Sequence, residues 1–153
     1  MADHSDIFVT LRNVDCFAGL TDEEIGSLES HVTSRAIDAG EVIIREDDRD
    51  TSMFVLAEGR LTIRMSFRGD EEPQVASIEP GDLFGEMALL TGKPRSATVS
   101  AEAPSKVIEI DAAGIQSLIR NRPDVQQQIR QMIADRQAEN LKTVMGLAND
   151  QTG

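Results

Sequence analysis

The segment at residues 84–99, F-G-E-M-A-L-L-T-G-K-P-R-S-A-T-V, contains the residue types that could bind a small anion. Gly85 has no side chain, so its backbone can approach a ligand closely. A short helix beginning at Gly85 would direct its first backbone N–H groups at an anion. Arg95 can pair with a phosphate through parallel donors, and Glu86 can accept hydrogen bonds from sugar hydroxyls. Together these groups match a sugar joined to a singly charged phosphate.

The same residue types also allow a plainer interpretation of this segment. A Gly-Glu pair is common in turns, a short helix after a strand can serve packing alone, and most arginines are solvated surface residues. The residue types and their spacing therefore leave both binding and simple structure open.

Elements that could position the segment are predicted on both sides of it. Residues 5–33 are predicted to be helical, with Thr21 and Glu24 spaced as a capping box. Residues 34–110 contain short apolar runs separated by turn signals such as Pro80-Gly81-Asp82, a pattern typical of antiparallel strands. The predicted fold class is mainly β with flanking helices, arranged as an antiparallel barrel or jelly roll.

Helix is predicted again over residues 111–147, with the polar end of the chain fraying. Asp111 can cap a short helix, and Pro123 suits the first position of a longer one, where its missing N–H is not needed. No internal repeat or long linker interrupts the 153 residues. We therefore expect a single domain over residues 1–153.

The composition argues against several classes of protein. The formal net charge is −12 without a basic stripe, which disfavours binding to nucleic acid or to an anionic membrane surface. Cys16 is the single cysteine, so no internal disulfide can form, as is usual in a reducing compartment. No apolar run approaches the length of a membrane span, and the N-terminus lacks the pattern of a signal peptide. These features predict a cytoplasmic chain without direct membrane contact.

The segment at residues 84–99 resembles the phosphate-binding cassette of the cyclic-nucleotide-binding family. The family's pattern is F-G-E-x-A-L followed, after a short gap, by P-R-x-A-T/S-V, and every fixed position is matched. The matching residues are Phe84, Gly85, Glu86, Ala88, Leu89, Pro94, Arg95, Ala97, Thr98 and Val99. Turns at 38–43, 57–60 and 79–82 also look like the family's barrel turns, and the resemblance covers about residues 10–140.

The resemblance implies a jelly-roll barrel, a short helix in the cassette, and one bound cyclic nucleotide, cAMP or cGMP, without a metal. It implies that Arg95 pairs with the cyclic phosphate, assisted by backbone N–H groups near Ala88 and Ala97. It further implies that Glu86 accepts a hydrogen bond from the ribose 2′-hydroxyl, helped by the Gly85 backbone.

The resemblance also implies which residues line the pocket and recognise the base. Leu83, Phe84 and Met87 would line the pocket, and the C-terminal helix would act as a lid. In the family, Thr at the position of Ser96 accompanies cGMP preference and Ala accompanies cAMP preference; Ser is intermediate, and we expect cAMP to be favoured. Arg136 resembles a base-contacting arginine of bacterial cyclic-nucleotide-gated potassium channels, although it could equally be a surface arginine paired with carboxylates on its own helix.

One turn departs from the family's pattern. The family commonly has glycines where this chain has Asp47 and Asp50. Asp tolerates left-handed backbone conformations better than most residues, so we expect the turn to form. The acidic residues lack the spacing and the terminal Glu of an EF-hand, and we predict no metal there.

The predicted function is a non-catalytic sensor that couples cyclic-nucleotide binding to closure of the lid. The ending I-A-D-R-Q-A-E-N-L resembles the C-terminal sensor of bacterial ion channels, which implies a covalently attached pore domain. The alternative is a stand-alone regulatory protein that acts through a protein partner. A phosphodiesterase would need a base or metal ligands near the phosphate, and both histidines, His4 and His31, lie outside the cassette. A domain that has lost its ligand is disfavoured because Glu86 and Arg95 are intact.

Overall fold

Helices lie at both ends of the chain and strands lie between them. The structure, a computed structural model, describes residues 4–49, 51–66, 74–85, 94–95 and 97–152. Two α-helices precede the strands, and each is followed by a turn of 3₁₀-helix. Their bounds are α1 His4–Arg12, the 3₁₀ turn Asp15–Phe17, α2 Asp22–Gly26 and the 3₁₀ turn Glu29–His31.

Helix α2 begins with the predicted capping box. The Glu24 N–H donates to Thr21 Oγ1 at 3.1 Å, and the Thr21 N–H donates to Glu24 Oε1 at 2.9 Å. Each side chain thus satisfies a backbone donor that the first turn of a helix leaves unpaired. The capping box is confirmed.

Within the described residues, eight strands form two four-stranded antiparallel sheets. One sheet has the order β1-β8-β3-β6 and the other has the order β2-β7-β4-β5. The first strand begins at Val32 rather than at residue 34, because Val32 pairs with Ile110 at the end of β8. The bounds are β1 Val32–Ile37, β2 Val42–Ile44, β3 Met53–Glu58, β4 Leu61–Arg64, β5 Gln74–Ile78, β6 Leu83–Phe84, β7 Thr98–Ala101 and β8 Ser105–Ile110.

In the part of the chain that the structure describes, the buried apolar side chains form two clusters, one on each face of the β1-β8-β3-β6 sheet. Strand β3 contributes to both, because successive side chains of a strand point to opposite faces. Met53 and Val55 belong to a helix-side core, which packs the helices against the sheet. Phe54 and Leu56 belong to a barrel core between the two sheets. Strand β3 is therefore the shared wall between the helices and the barrel.

Two helices follow the last strand. Asp111 caps α3 (Ala112–Asn121) by accepting a hydrogen bond from the Gly114 N–H at 2.8 Å, as predicted. Helix α4 (Pro123–Thr152) begins at the predicted proline and packs Val125 and Ile129 into the helix-side core. It continues beyond residue 147, where the helix was expected to end, since residues 147–152 contain neither Gly nor Pro. No helix in the described ranges combines the length and the apolar character that a membrane span needs.

Candidate functional site

Strand β6 lies in the wall of the barrel and leads directly into the cassette. Leu83 belongs to the helix-side core and Phe84 to the barrel core, and each side chain is 1% exposed. Strand β6 pairs with β3, with Phe84 opposite Phe54, and the two rings stack with centroids 5.2 Å apart and planes inclined by 16°. This packing on both faces of the sheet fixes the point at which the chain leaves the strand.

Gly85 follows β6 in a conformation that few other residues adopt. Its φ is +82°, in the left-handed region that favours glycine. A Cβ atom built there would lie 2.9 Å from Arg95 Nη1 and 3.1 Å from the Ser52 carbonyl oxygen. The glycine therefore supplies both the turn and the space in which the arginine side chain lies.

Arg95 is a buried cation held by backbone carbonyls. The residue is 4% exposed. Its Nη1 donates to the Gly85 carbonyl at 2.5 Å and its Nη2 donates to the Ser52 carbonyl at 2.7 Å. The guanidinium carbon also lies 6.0 Å from the centroid of the Phe54 ring, at the limit of a cation–π contact. These contacts hold a planar donor, suited to a phosphate, at the start of the cassette.

The residues after Arg95 lead back into the barrel. Ala97 packs against the barrel core, and β7 begins at Thr98. The Thr98 hydroxyl accepts a hydrogen bond from the Glu46 N–H at 3.0 Å, which ties this end of the cassette to the β2–β3 connection. The cassette thus returns into the β2-β7-β4-β5 sheet, whereas it leaves from the opposite sheet.

Arg136 joins the final helix to strand β6, directly before the cassette. It is half-buried, and its Nη2 donates to the Leu83 carbonyl at 2.5 Å. Of the carboxylates expected as neighbours, Asp135 accepts from Gln131, and Glu139 lies 3.9 Å from Lys142. The α4 helix therefore contacts β6 two residues before Gly85.

The structure brings together five of the predicted site residues, and it places Arg136 in contact with the first of them, Leu83. The five are Leu83, Phe84, Gly85, Arg95 and Ala97. The other predicted site residues, Glu86, Met87, Ala88 and Ser96, and the predicted cassette helix lie outside the described residues.

Sequence reasoning missed the acceptors that hold the arginine. The Ser52 carbonyl is a backbone group, which no residue pattern identifies, and Phe54 was predicted only as part of an apolar strand. The period-2 alternation of β3 could have indicated that Phe54 and Leu56 share one face of the sheet, whereas the pairing of Phe54 with Phe84 depends on the β3–β6 register.

Metal ligation has no support in the described ranges of the chain. They contain no group of three or more His, Cys, Asp or Glu side chains that could hold an ion.

The comparisons with known proteins agree with this geometry. The model of the family described as cyclic nucleotide-binding domain matches residues 34–122, more than half of the chain. A cyclic nucleotide-gated potassium channel of Rhizobium etli is 35% identical over 102 residues, covering 67% of this chain and 27% of the channel. A cGMP-dependent protein kinase of Caenorhabditis briggsae is 31% identical over 121 residues, covering 78% of this chain and 16% of the kinase. The chain therefore spans less than a third of the length of either relative.

Among solved structures, the regulatory domain of Toxoplasma gondii PKA, crystallised with cAMP, matches with a TM-score of 0.75. The match covers 85% of this chain and 48% of that one at 24% identity. It confirms the predicted jelly-roll fold. The matched family model and the cassette residues together lead to one conclusion: the chain belongs to the cyclic nucleotide-binding domain family.

Proposed function

We propose that this chain is a non-catalytic sensor that binds cAMP in preference to cGMP and couples binding to closure of helix α4 over the base. In this proposal Arg95 pairs with the cyclic phosphate, Glu86 binds the ribose 2′-hydroxyl, and Ser96 and Arg136 recognise the base. The observation that carries the proposal is the position of Arg95. Its guanidinium is buried beside Gly85, at the place where the family's pattern has its phosphate-binding arginine.

The experiment that tests the proposal is calorimetric titration of Arg95→Ala with cAMP. Removing one partner of a buried charge pair typically costs about 2–5 kcal/mol, so we expect affinity to fall by at least about tenfold. Arg95→Lys keeps the charge but loses the paired donors, and we expect it to bind with intermediate affinity.

Arg60 supplies a matched control for the loss of an arginine. Its side chain is 54% exposed and lies near Glu79 and Glu102 on the surface. Arg60→Ala should bind cAMP as the unmodified chain does. Thermal unfolding of each variant shows whether the fold survives, and a folded Arg95→Ala variant with unchanged affinity would refute the phosphate-binding role.

Movement of the lid is proposed because α4 already contacts β6 at Leu83, directly before the cassette. A ligand shifts an equilibrium between two states only through its different affinity for them. Contacts from α4 to the base, made in the closed state alone, would supply that difference. Hydrogen exchange along α4 with and without cAMP measures the effect, and we expect slower exchange around Arg136 when cAMP is bound.

The cellular context we propose is the cytosolic regulatory domain of a bacterial ion channel, with the pore domain attached covalently. The name of the Rhizobium etli relative and the helical ending favour this context. A stand-alone regulatory protein acting through a protein partner is the second candidate. Membrane-spanning segments encoded in the same gene would support the channel, and their absence from the complete gene would support the second candidate.

A further inference from the structure

The connection between β2 and β3 contains an unusual backbone conformation. Asp47 has a φ of +76°, and it is the one non-glycine residue with a positive φ in the part of the chain that the structure describes. A side chain in this region normally clashes with the following carbonyl oxygen, and Asp is among the few residues that tolerate it. The Asp47 side chain itself is exposed to solvent.

The conformation allows this connection to hydrogen-bond with the backbone of Arg95. The Asp47 N–H donates to the Arg95 carbonyl at 2.8 Å, and the Arg95 N–H donates to the Asp48 carbonyl at 2.7 Å. The Asp48 N–H closes the turn by donating to the Arg45 carbonyl at 3.1 Å. We call residues 45–48 the 45–48 turn, and the two bonds to Arg95 the backbone pair.

The 45–48 turn is itself anchored to the barrel. The Glu46 N–H donates to Thr98 Oγ1 at 3.0 Å, and Glu46 Oε1 accepts from the Ser66 N–H at 2.8 Å. The turn is thus fixed to β7 on one side and to the residues after β4 on the other. The β2–β3 connection therefore holds both the backbone and the side chain of Arg95, because the guanidinium also donates to the Ser52 carbonyl.

We propose that Asp47 is a positioning residue for ligand binding, whose left-handed backbone forms the backbone pair and thereby sets the direction of the Arg95 guanidinium. This inference rests on the proposed function, since it gives Arg95 the phosphate. If position 47 carries a residue that resists positive φ, a larger fraction of the molecules will have a rotated turn in which the backbone pair is broken. Apparent affinity falls in proportion to the fraction of chains that remain competent to bind.

The test compares substitutions of Asp47 that remove the same charge but differ in their tolerance of positive φ. Asp47→Asn and Asp47→Gly accept the conformation, and we expect them to bind cAMP within about twofold of the unmodified chain. Asp47→Val resists it, and we expect affinity to fall by about tenfold. Asp47→Ala, with its smaller strain, should lie between them, and it replaces Asp47→Val if that variant does not fold. Affinity is measured by calorimetry well below each variant's unfolding temperature.

A second measurement separates positioning from general damage to the barrel. Asp47→Val and Asp47→Asn are also made in the Arg95→Ala background, where no guanidinium remains to be positioned. In that background we expect the cAMP affinities of the Asp47→Val and Asp47→Asn variants to differ by less than about twofold, because the effects of coupled residues are not additive. Equal loss in both backgrounds, or equal affinity of Asp47→Val and Asp47→Asn with Arg95 present, overturns the positioning role and leaves the phosphate role of Arg95 intact. Unchanged binding by Arg95→Ala itself refutes the proposed function, and this inference with it.

Discussion

At the scale of single residues, Gly85 and Arg95 depend on each other. The guanidinium occupies the space that a Cβ at position 85 would fill, and it donates to the carbonyl of that same residue. The family's pairing of glycine and arginine, ten positions apart here, therefore has a steric reason. The residue types indicated both positions as a candidate phosphate site, and the structure places the two residues in direct contact. The phosphate-binding role itself stays a prediction.

In the proposed function, Ser96 contributes to the choice between cAMP and cGMP, and substitutions at this position test that role. Thr has a β-methyl group that restricts χ1, so its hydroxyl is more nearly fixed toward a guanine amino group than a serine hydroxyl is. Ser96→Thr is therefore expected to raise affinity for cGMP relative to cAMP by about threefold to tenfold, the net worth of about one hydrogen bond. Ser96→Ala should shift the ratio toward cAMP. Competition binding measures both ratios, and a Thr variant with an unchanged ratio would exclude this position as the selector.

At the scale of elements, Arg122 connects the junction between α3 and α4 to the N-terminal helices. It lies at the C-cap of α3 and donates to both carboxylate oxygens of Asp124 at 2.9 and 2.8 Å. Its Nη1 also donates to Glu24 Oε1 at 2.7 Å and to the Gly19 carbonyl at 3.3 Å. A change in the angle between α3 and α4 would therefore alter contacts with the α2 capping box.

These contacts make the stability of the helical region depend on pH. Hydrogen bonding from the Thr21 backbone lowers the pKa of Glu24 below its ordinary value of 4.5, and the nearby Arg122 charge lowers it further against the opposing effect of burial. A carboxyl whose pKa is lowered by folding contributes its full stabilisation above the ordinary value and loses it as pH falls through the folded value. Glu24→Gln keeps a capping oxygen but removes the charge. We expect the variant to unfold more easily at neutral pH and to approach the unmodified chain in acid.

Urea unfolding at pH values on both sides of 4.5 measures this convergence. Glu23→Gln is the matched control, because it removes the same charge from the adjacent exposed position of α2. If Glu24→Gln and Glu23→Gln lost stability equally at every pH, the contacts of the Glu24 carboxylate with the Thr21 backbone and with Arg122 would not be the cause.

At the scale of the whole molecule, sequence reasoning predicted strands flanked by helices at both ends but not how these elements meet. Local signals such as the Thr21 capping box, the Asp111 cap and the Pro123 start were confirmed because they depend on neighbouring residues alone. The contacts that hold Arg95 join residues 43 and 10 positions apart and end on backbone carbonyls, which carry no sequence signature. Such contacts follow from strand register, and register is set by the packing of the whole barrel.

The two ends of the proposed binding site are linked through β6, which suggests a test of the lid. Arg136 binds the Leu83 carbonyl and Arg95 binds the Gly85 carbonyl, so helix and phosphate site share one short stretch of backbone. If Arg136 stacks on the base, as proposed, Arg136→Ala should weaken cAMP binding by about threefold to tenfold. Binding of a ribose cyclic phosphate that lacks the base should not change. Arg130→Ala, at an exposed position on the same helix, is the control and should alter neither affinity. Equal loss for both ligands would assign Arg136 to supporting Leu83, and no loss for either would leave recognition of the base to other residues.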